Sequence, residues 1–236
     1  MTNKVHLKYY FEKETKFSYY ETLWKLTALD LLGEVLDTRD GGGKAKVLDV
    51  GSGRGEMLLL LSSRGYDAEG VDADAECVRL SSQHGVCKQG DVRELANLYP
   101  AESFDAIMAL HVLEHLDNPR QCIEQFRLVS KQYLLLATPN LSSLAFLNWG
   151  RKISRCNQGH TCGWNYAHFN NFLTNICGLR VVRWKPDCVP LYNTLPYMGW
   201  LDHLFHKSGI RAIIEERLLK KLFPHLSYSL IVLCEK

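Results

Sequence analysis

The sequence predicts an α/β fold, a doubly wound, Rossmann-like sheet of seven strands flanked by helices. Three observations predict it. The run Val47-Leu48-Asp49-Val50 breaks into glycine at alternate positions, Gly51, Gly53 and Gly55, and passes into Glu56-Met57-Leu58-Leu59-Leu60-Leu61, which reads as a strand, a tight turn and a helix start. Further apolar runs end on acidic residues and alternate with helical patterns, as βα units do. A chain of 236 residues, 46% hydrophobic and 23% charged, can bury one substantial core and falls in the single-domain range for α/β proteins.

The elements follow in order. Residues 1–45 carry aromatic clusters (Tyr9, Tyr10, Phe11, Phe17, Tyr19, Tyr20, Trp24) and a helical pattern from Leu23 through Leu36 that ends at Gly41-Gly42-Gly43. They are expected to form an N-terminal helical cap beside the ligand mouth. Residues 46–236 form the main domain, with a helical insertion at about 190–226. Its strands are expected at Val47–Val50, Ala68–Val71, Val86–Gln89, Phe104–Leu110, Gln132–Ala137, Arg180–Lys185 and Ser229–Cys234, with a helix over Asn165–Cys177. In the insertion, Ile210, Ile213, Ile214, Leu218 and Leu222 share one face, opposite Arg211, Glu215, Glu216, Lys220 and Lys221. That is the pattern of a core-facing helix; a substrate lid, a dimer seam and a membrane contact share it.

The glycine turn also selects a ligand. A dinucleotide fingerprint needs glycine at its sixth position, where this chain has Glu56, and a carboxylate there repels pyrophosphate. Asp49 adds a second negative charge at the strand tip, which favours a sulfonium and an ammonium group. S-adenosylmethionine carries both cations and no phosphate. Asp72, about 20 residues past the first glycine, is placed to accept from the ribose hydroxyls, and Asp91 to face the adenine amino group.

Asp49-x-Gly51-x-Gly53-x-Gly55, Gly70-Val71-Asp72, Gly90-Asp91, Phe104-Asp105, Val112-Leu113-Glu114-His115-Leu116 and Ala137-Thr138-Pro139-Asn140 occur in one order and spacing. Together they resemble class I S-adenosylmethionine-dependent methyltransferases, nearest the type 11 and type 23 subgroups, over roughly residues 45 to 187. The resemblance implies S-adenosylmethionine as cofactor and a last strand inserted antiparallel near the sheet edge. It also implies cofactor contacts from Asp49, Gly51, Ser52, Gly53, Gly55, Asp72, Ala73, Asp91, Val92, Leu110 and His111. The methyl acceptor is left open.

Composition narrows the partners. The net charge is +2 and no block of five like charges occurs, so neither nucleic acid nor anionic lipid is demanded. No Asn-Pro-Pro-Tyr type motif follows the fourth strand and no Pro-Cys nucleophile occurs, which disfavours DNA bases as acceptors. The first 16 residues are charged and aromatic, unlike a signal peptide, and no stretch reaches membrane-span length. The eight cysteines show no CxxC spacing. A cytoplasmic enzyme acting on a small, partly apolar acceptor is the expectation. The N-terminal aromatics fit a sheet-edge cover or a homodimer contact, and equally a ring of Tyr19 or Tyr20 closing over the sulfonium.

Methyl transfer from a sulfonium is an in-line displacement, helped by a base when the acceptor must lose a proton. His111, Glu114 and His115 leave the fourth strand where the methyl should point. His115 is the candidate base, His111 a cofactor-side contact and Glu114 an orienter; bracing of the following loop is the structural alternative. Gly159-His160-Thr161, Trp164, Tyr166 and His168-Phe169 are candidate acceptor walls. Ubiquinone-pathway O-methyltransferases and small-RNA 2′-O-methyltransferases, which the chain resembles here, hold a divalent ion with Glu-x-x-Glu-His, and the latter add a histidine that His160 could match. This chain has His111 in place of the first glutamate, a change from oxygen to nitrogen that favours zinc or another transition metal over magnesium. No metal ligand is assigned from sequence. A second reading, from similarity of Val47 to Val182 to the methionine-biosynthesis MetW type, is a methyltransferase-like subunit that assists a partner enzyme.

Overall fold

The apolar runs assemble into one mixed sheet. The computed structural model describes residues 16–37, 43–144, 159–190 and 213–236. Its strands are β1 (Lys46–Val50), β2 (Asp67–Asp72), β3 (Val86–Gln89), β4 (Phe104–Leu110), β5 (Ser130–Pro139), β6 (Arg180–Trp184) and β7 (Ser229–Glu235). They lie in the order β3-β2-β1-β4-β5-β7-β6. Pairing is parallel from β3 through to β5, and β7 runs antiparallel to both β5 and β6. The chain turns one way from β1 to β2 and β3, then crosses back to β4. The crevice between the ends of β1 and β4 is therefore the switch point, where open α/β sheets bind ligands.

Alternation along the central strands feeds two core layers. Phe104, Ile107 and Ala109 of β4 pack with Ile123 and Phe126, which belong to the helix Pro119–Val129. Ala106, Met108 and Leu110 face the other way, against the N-terminal helix α1 (Lys16–Leu36) through Leu29 and Leu32. A strand buried on both faces reads as a continuous apolar run, which is why Phe104–Leu110 is so plain in the sequence. The helix α1 thus shares the sheet's own core besides walling the mouth.

The helix α2 (Glu56–Ser63) begins at Gly55, whose φ is +81°. A Cβ there would lie 2.7 Å from the Ser81 Cα. Gly55 is thus needed for helix packing, and it does not line the ligand cavity described below.

Residues 213–226, the described end of the C-terminal insertion, depart from their expected orientation. Ile210 lies outside the described residues. From Ile214 to Leu219 the chain winds as a π-helix, which passes into one turn of α-helix over Lys220–Leu222. Glu215 is fully buried, whereas Ile213, Leu218 and Leu222 are more than half exposed. The expected core-facing apolar stripe therefore points outward. Two causes act together: a wider turn breaks the 3.6-residue register that defines the stripe, and the Tyr20 hydroxyl donates to the Glu215 carboxylate at 3.1–3.2 Å, which compensates its burial. No helix among the described residues is long and apolar enough to cross a membrane.

Candidate active site

A cavity of about 380 Å³ opens in front of β1 and β4. Asp49, Gly51, Ser52, Gly53 and Leu110 line it together with Arg54, Glu56 and Met57, and α1 closes it with Glu21, Trp24 and Lys25. Asp49 is buried, and its Oδ2 has no hydrogen-bond partner among the described residues. Burial raises its carboxyl to about 8; nearby Lys25 acts against the rise and Asp72 adds to it. The expectation of a standing negative charge is corrected accordingly: in the protein on its own, Asp49 is mostly a neutral acid at pH 7. A ligand cation would draw off that proton. Lys25 forms an ion pair with Glu56 and lies 5.2 Å from the Trp24 ring centroid.

The other expected cofactor residues sit on neighbouring strand ends, outside the lining of that cavity. Asp72 braces the glycine turn: its Oδ2 accepts the Gly53 N–H at 2.9 Å and its Oδ1 the Asp74 N–H at 2.9 Å. Ala73 is exposed, and its carbonyl accepts from the Gln89 side chain at 3.2 Å. Asp91 does not present a free carboxylate, because the Arg93 guanidinium takes both of its oxygens and holds its carboxyl below the usual range. Val92 is buried at the start of the turn that Asp91 caps. Tyr20 lies away from the cavity lining, stacked on Tyr228 at 5.3 Å and bonded to Glu215. One helical turn on from Tyr20, it is Trp24 that stands at the mouth; the Tyr19 side chain lies outside the described residues.

His111, the first residue after β4, adopts φ +57°, a left-handed conformation uncommon outside glycine and often found at functional positions. That turn aims its ring three ways. One face packs on Trp24 with centroids 4.6 Å apart, Nε2 lies 3.1 Å from Ser229 Oγ, and Nδ1 lies 3.3 Å from Glu114 Oε1. The last contact lacks hydrogen-bond geometry. Both Glu114 oxygens are buried without a hydrogen-bond partner among the described residues.

His160 reaches the same place from 45 residues downstream. Thr161 fastens its loop: the backbone N–H donates to Glu114 O at 2.8 Å and the hydroxyl to Leu116 O at 2.9 Å. His160 then packs edge-on to His115, centroids 4.8 Å apart. Ligand atoms of Glu114, His115 and His160 all fall within 4.8 Å of one another. His115 Nδ1 donates to Gly159 O at 2.9 Å, since a carbonyl can only accept, and in the neutral ring this leaves the lone pair on Nε2. Burial lowers the His160 pKa, opposed by Glu114 and reinforced by the other two histidines. His111 stands beside this trio and is not a member of it.

These residues fit a divalent ion on their own chemistry: one buried carboxylate with unsatisfied oxygens, one imidazole whose far nitrogen is anchored by a carbonyl, and a second imidazole in reach. Two nitrogens against one carboxylate favour a transition metal over magnesium.

Three further residues carry no local sequence signal. Asp187 is buried and accepts backbone N–H groups from Cys188 at 2.7 Å and from Tyr228 and Ser229 at 3.1 Å. Burial raises its pKa to about 6 against the pull of those bonds. It pins the start of β7 and so sets Ser229 against His111. Trp24 and Lys25 are the other two; their adjacency within the helix Lys16–Leu36 gives no sign that they face a ligand.

Comparison with known proteins agrees with this geometry. A family model described as a methyltransferase domain matches residues 20–182. A ubiquinone biosynthesis O-methyltransferase of Glaesserella parasuis is 27% identical over 128 residues, covering 49% of this chain and 54% of that protein. The chain spans about half the length of the curated relatives it matches. Among solved structures, a SAM-dependent methyltransferase from Archaeoglobus fulgidus aligns with TM-score 0.60 at 19% identity, covering 94% of this chain and all of that one. A magnesium protoporphyrin IX methyltransferase from Synechocystis PCC 6803, with bound SAH, aligns with TM-score 0.59 at 13% identity over 100% of this chain and 94% of that one. With its motifs, its sheet order and its acidic strand tip, the chain belongs to the methyltransferase-domain family, as a class I enzyme whose cofactor is S-adenosylmethionine.

Proposed function

We propose that the protein transfers the methyl group of S-adenosylmethionine to an oxygen of a small acceptor bound beside Glu114, His115 and His160. The observation that carries this reading is the juxtaposition at His111. On one side lies a cavity with a proton-holding acidic tip suited to a cation; on the other lies a buried acid and imidazole group suited to a hydroxyl. The printed names of several relatives, ubiquinone biosynthesis O-methyltransferases, support oxygen as the acceptor atom. A subunit that only bound cofactor would have no use for a buried carboxylate left unsatisfied, which weighs against the assisting-partner reading.

In the transfer, the sulfur–methyl bond breaks as the oxygen–methyl bond forms, and the sulfonium leaves as a neutral thioether. Asp49 and the glycine turn hold the donor, Trp24 closes over it, and α1 excludes water. The acceptor hydroxyl loses its proton to His115 Nε2, the nitrogen its Gly159 contact leaves unprotonated. Glu114 stabilises the imidazolium that results. A divalent ion favours a second reading, supported by the two unpartnered Glu114 oxygens. Glu114, His115 and His160 would hold it, and it would supply Lewis acidity that lowers the hydroxyl pKa.

The test is formation of S-adenosylhomocysteine with a panel of catechols, phenols and amines, before and after dialysis against a chelator. Transfer to the hydroxylated acceptors is the expected result. Activity that survives chelation assigns His115 as the base; activity lost and then restored by manganese or zinc assigns the trio as ligands. Transfer to amines alone would refute the oxygen-acceptor reading.

A further inference from the structure

A second cavity, of about 330 Å³, lies between the end of β6, the start of β7 and the turn Pro224–Leu226. Its wall is of a different kind from the first. Tyr166, Trp184, Pro186, Pro224, Leu230 and Ile231 form its apolar wall, with Tyr166 tilted on Trp184 at 4.7 Å. Lys185 also borders it, but its ammonium is paired with Glu34 at 2.9 Å. Asp187, next in the chain after Pro186, is occupied by backbone N–H groups. Lys185 and Asp187 are therefore already paired and His225 adds one imidazole to the lining, whereas the first cavity is ringed by Glu21, Lys25, Asp49, Arg54 and Glu56, of which Lys25 and Glu56 pair with each other. The size falls in the range of small-molecule pockets.

Position links the two. Ser229 lines the apolar cavity, and its Oγ lies 3.1 Å from His111 Nε2. His111 in turn packs on Trp24, a wall of the cofactor cavity. A molecule seated among Trp184, Pro224 and Ile231 thus ends one residue from the reaction centre. We propose that this cavity receives the apolar part of the methyl acceptor, a ring system or hydrocarbon chain, whose reactive hydroxyl then lies at His111 and the trio. The inference rests on the methyl-transfer reading, and it adds the acceptor class: an amphiphile with one polar, methylatable end.

A reporter dye stands in for the natural acceptor in the test. The full chain is titrated with the neutral apolar dye N-phenyl-1-naphthylamine, alongside Tyr166→Asp and Pro224→Asp, two exposed rim positions where a carboxylate would enter the cavity mouth. Saturable 1:1 binding is expected in the wild type, weakened by about ten-fold or more in each variant. S-adenosylmethionine affinity and melting temperature should hold steady. On the wild type alone, 4-hexylcatechol should displace the dye while catechol does not, so the proposal stays exposed even if a variant misfolds. Absence of saturable binding, equal binding by well-folded variants, or equal displacement by both catechols would overturn it. Dye binding that follows these expectations, without methyl transfer to any hydroxylated acceptor, supports the cavity and sinks the oxygen-acceptor reading instead.

Discussion

Asp49→Asn is expected to weaken S-adenosylmethionine binding by roughly 30-fold or more while leaving the fold intact. Truncating one partner of a buried, hydrogen-bonded charge pair costs about 2–5 kcal/mol, and asparagine keeps the shape of the side chain while removing its ability to ionise. The same variant should change how stability responds to pH. Asp49 has a folded pKa of about 8 against an ordinary value of 3.8, so the folded protein holds a proton that the unfolded chain has released. Stability on this account is full below the unfolded value and declines as pH rises through the folded one. Urea unfolding across pH 5 to 9 should show a falling midpoint for the wild type and a flatter one for Asp49→Asn. A wild-type profile no steeper than the variant's would mean that burial does not govern this carboxyl.

Glu114→Gln is expected to hold or raise stability. Its carboxylate is buried, neither oxygen has a hydrogen-bond partner among the described residues, and leaving such groups unpaired costs about 1–3 kcal/mol each. Glutamine is less costly to bury, so the variant should unfold at equal or higher urea concentration. Turnover should nevertheless fall by about 100-fold or more, the scale of losing an acid–base or metal-bound group. A residue kept at a cost to the fold is one kept for chemistry. A variant that is less stable and fully active would instead make Glu114 a brace for the loop after β4.

What the sequence discloses divides along physical lines. Strands buried on both faces announce themselves through uninterrupted apolar runs, so Val47–Val50 and Phe104–Leu110 are legible to within a residue or so, as is the glycine turn that follows the first. Features made by contacts between distant segments are not. Nothing near Ser229 or Asp187 signals that one touches His111 and the other fixes that contact from beyond the end of β6. Tyr20 draws the eye away from Trp24 and Lys25 because an aromatic cluster says that a helix is buried, not which residue meets a ligand. The helix after Ile213 misleads because its face is counted at 3.6 residues per turn where the chain winds wider, and because Glu215 finds its partner 195 residues away. Asp91 looks free in the sequence, yet its near neighbour Arg93 folds back on it.

The most direct test of the cofactor placement is calorimetric titration of the wild type with S-adenosylmethionine at pH 6.5, repeated in two buffers of different ionisation enthalpy. The donor's amine, with an ordinary pKa near about 7.8, is already charged there and adds little proton exchange of its own. Binding should therefore release close to about one proton per site as Asp49 ionises against the cation, and Asp49→Asn should release none. Tight binding with no proton release in the wild type would contradict the account, because it would place the donor's positive charge somewhere other than the end of β1.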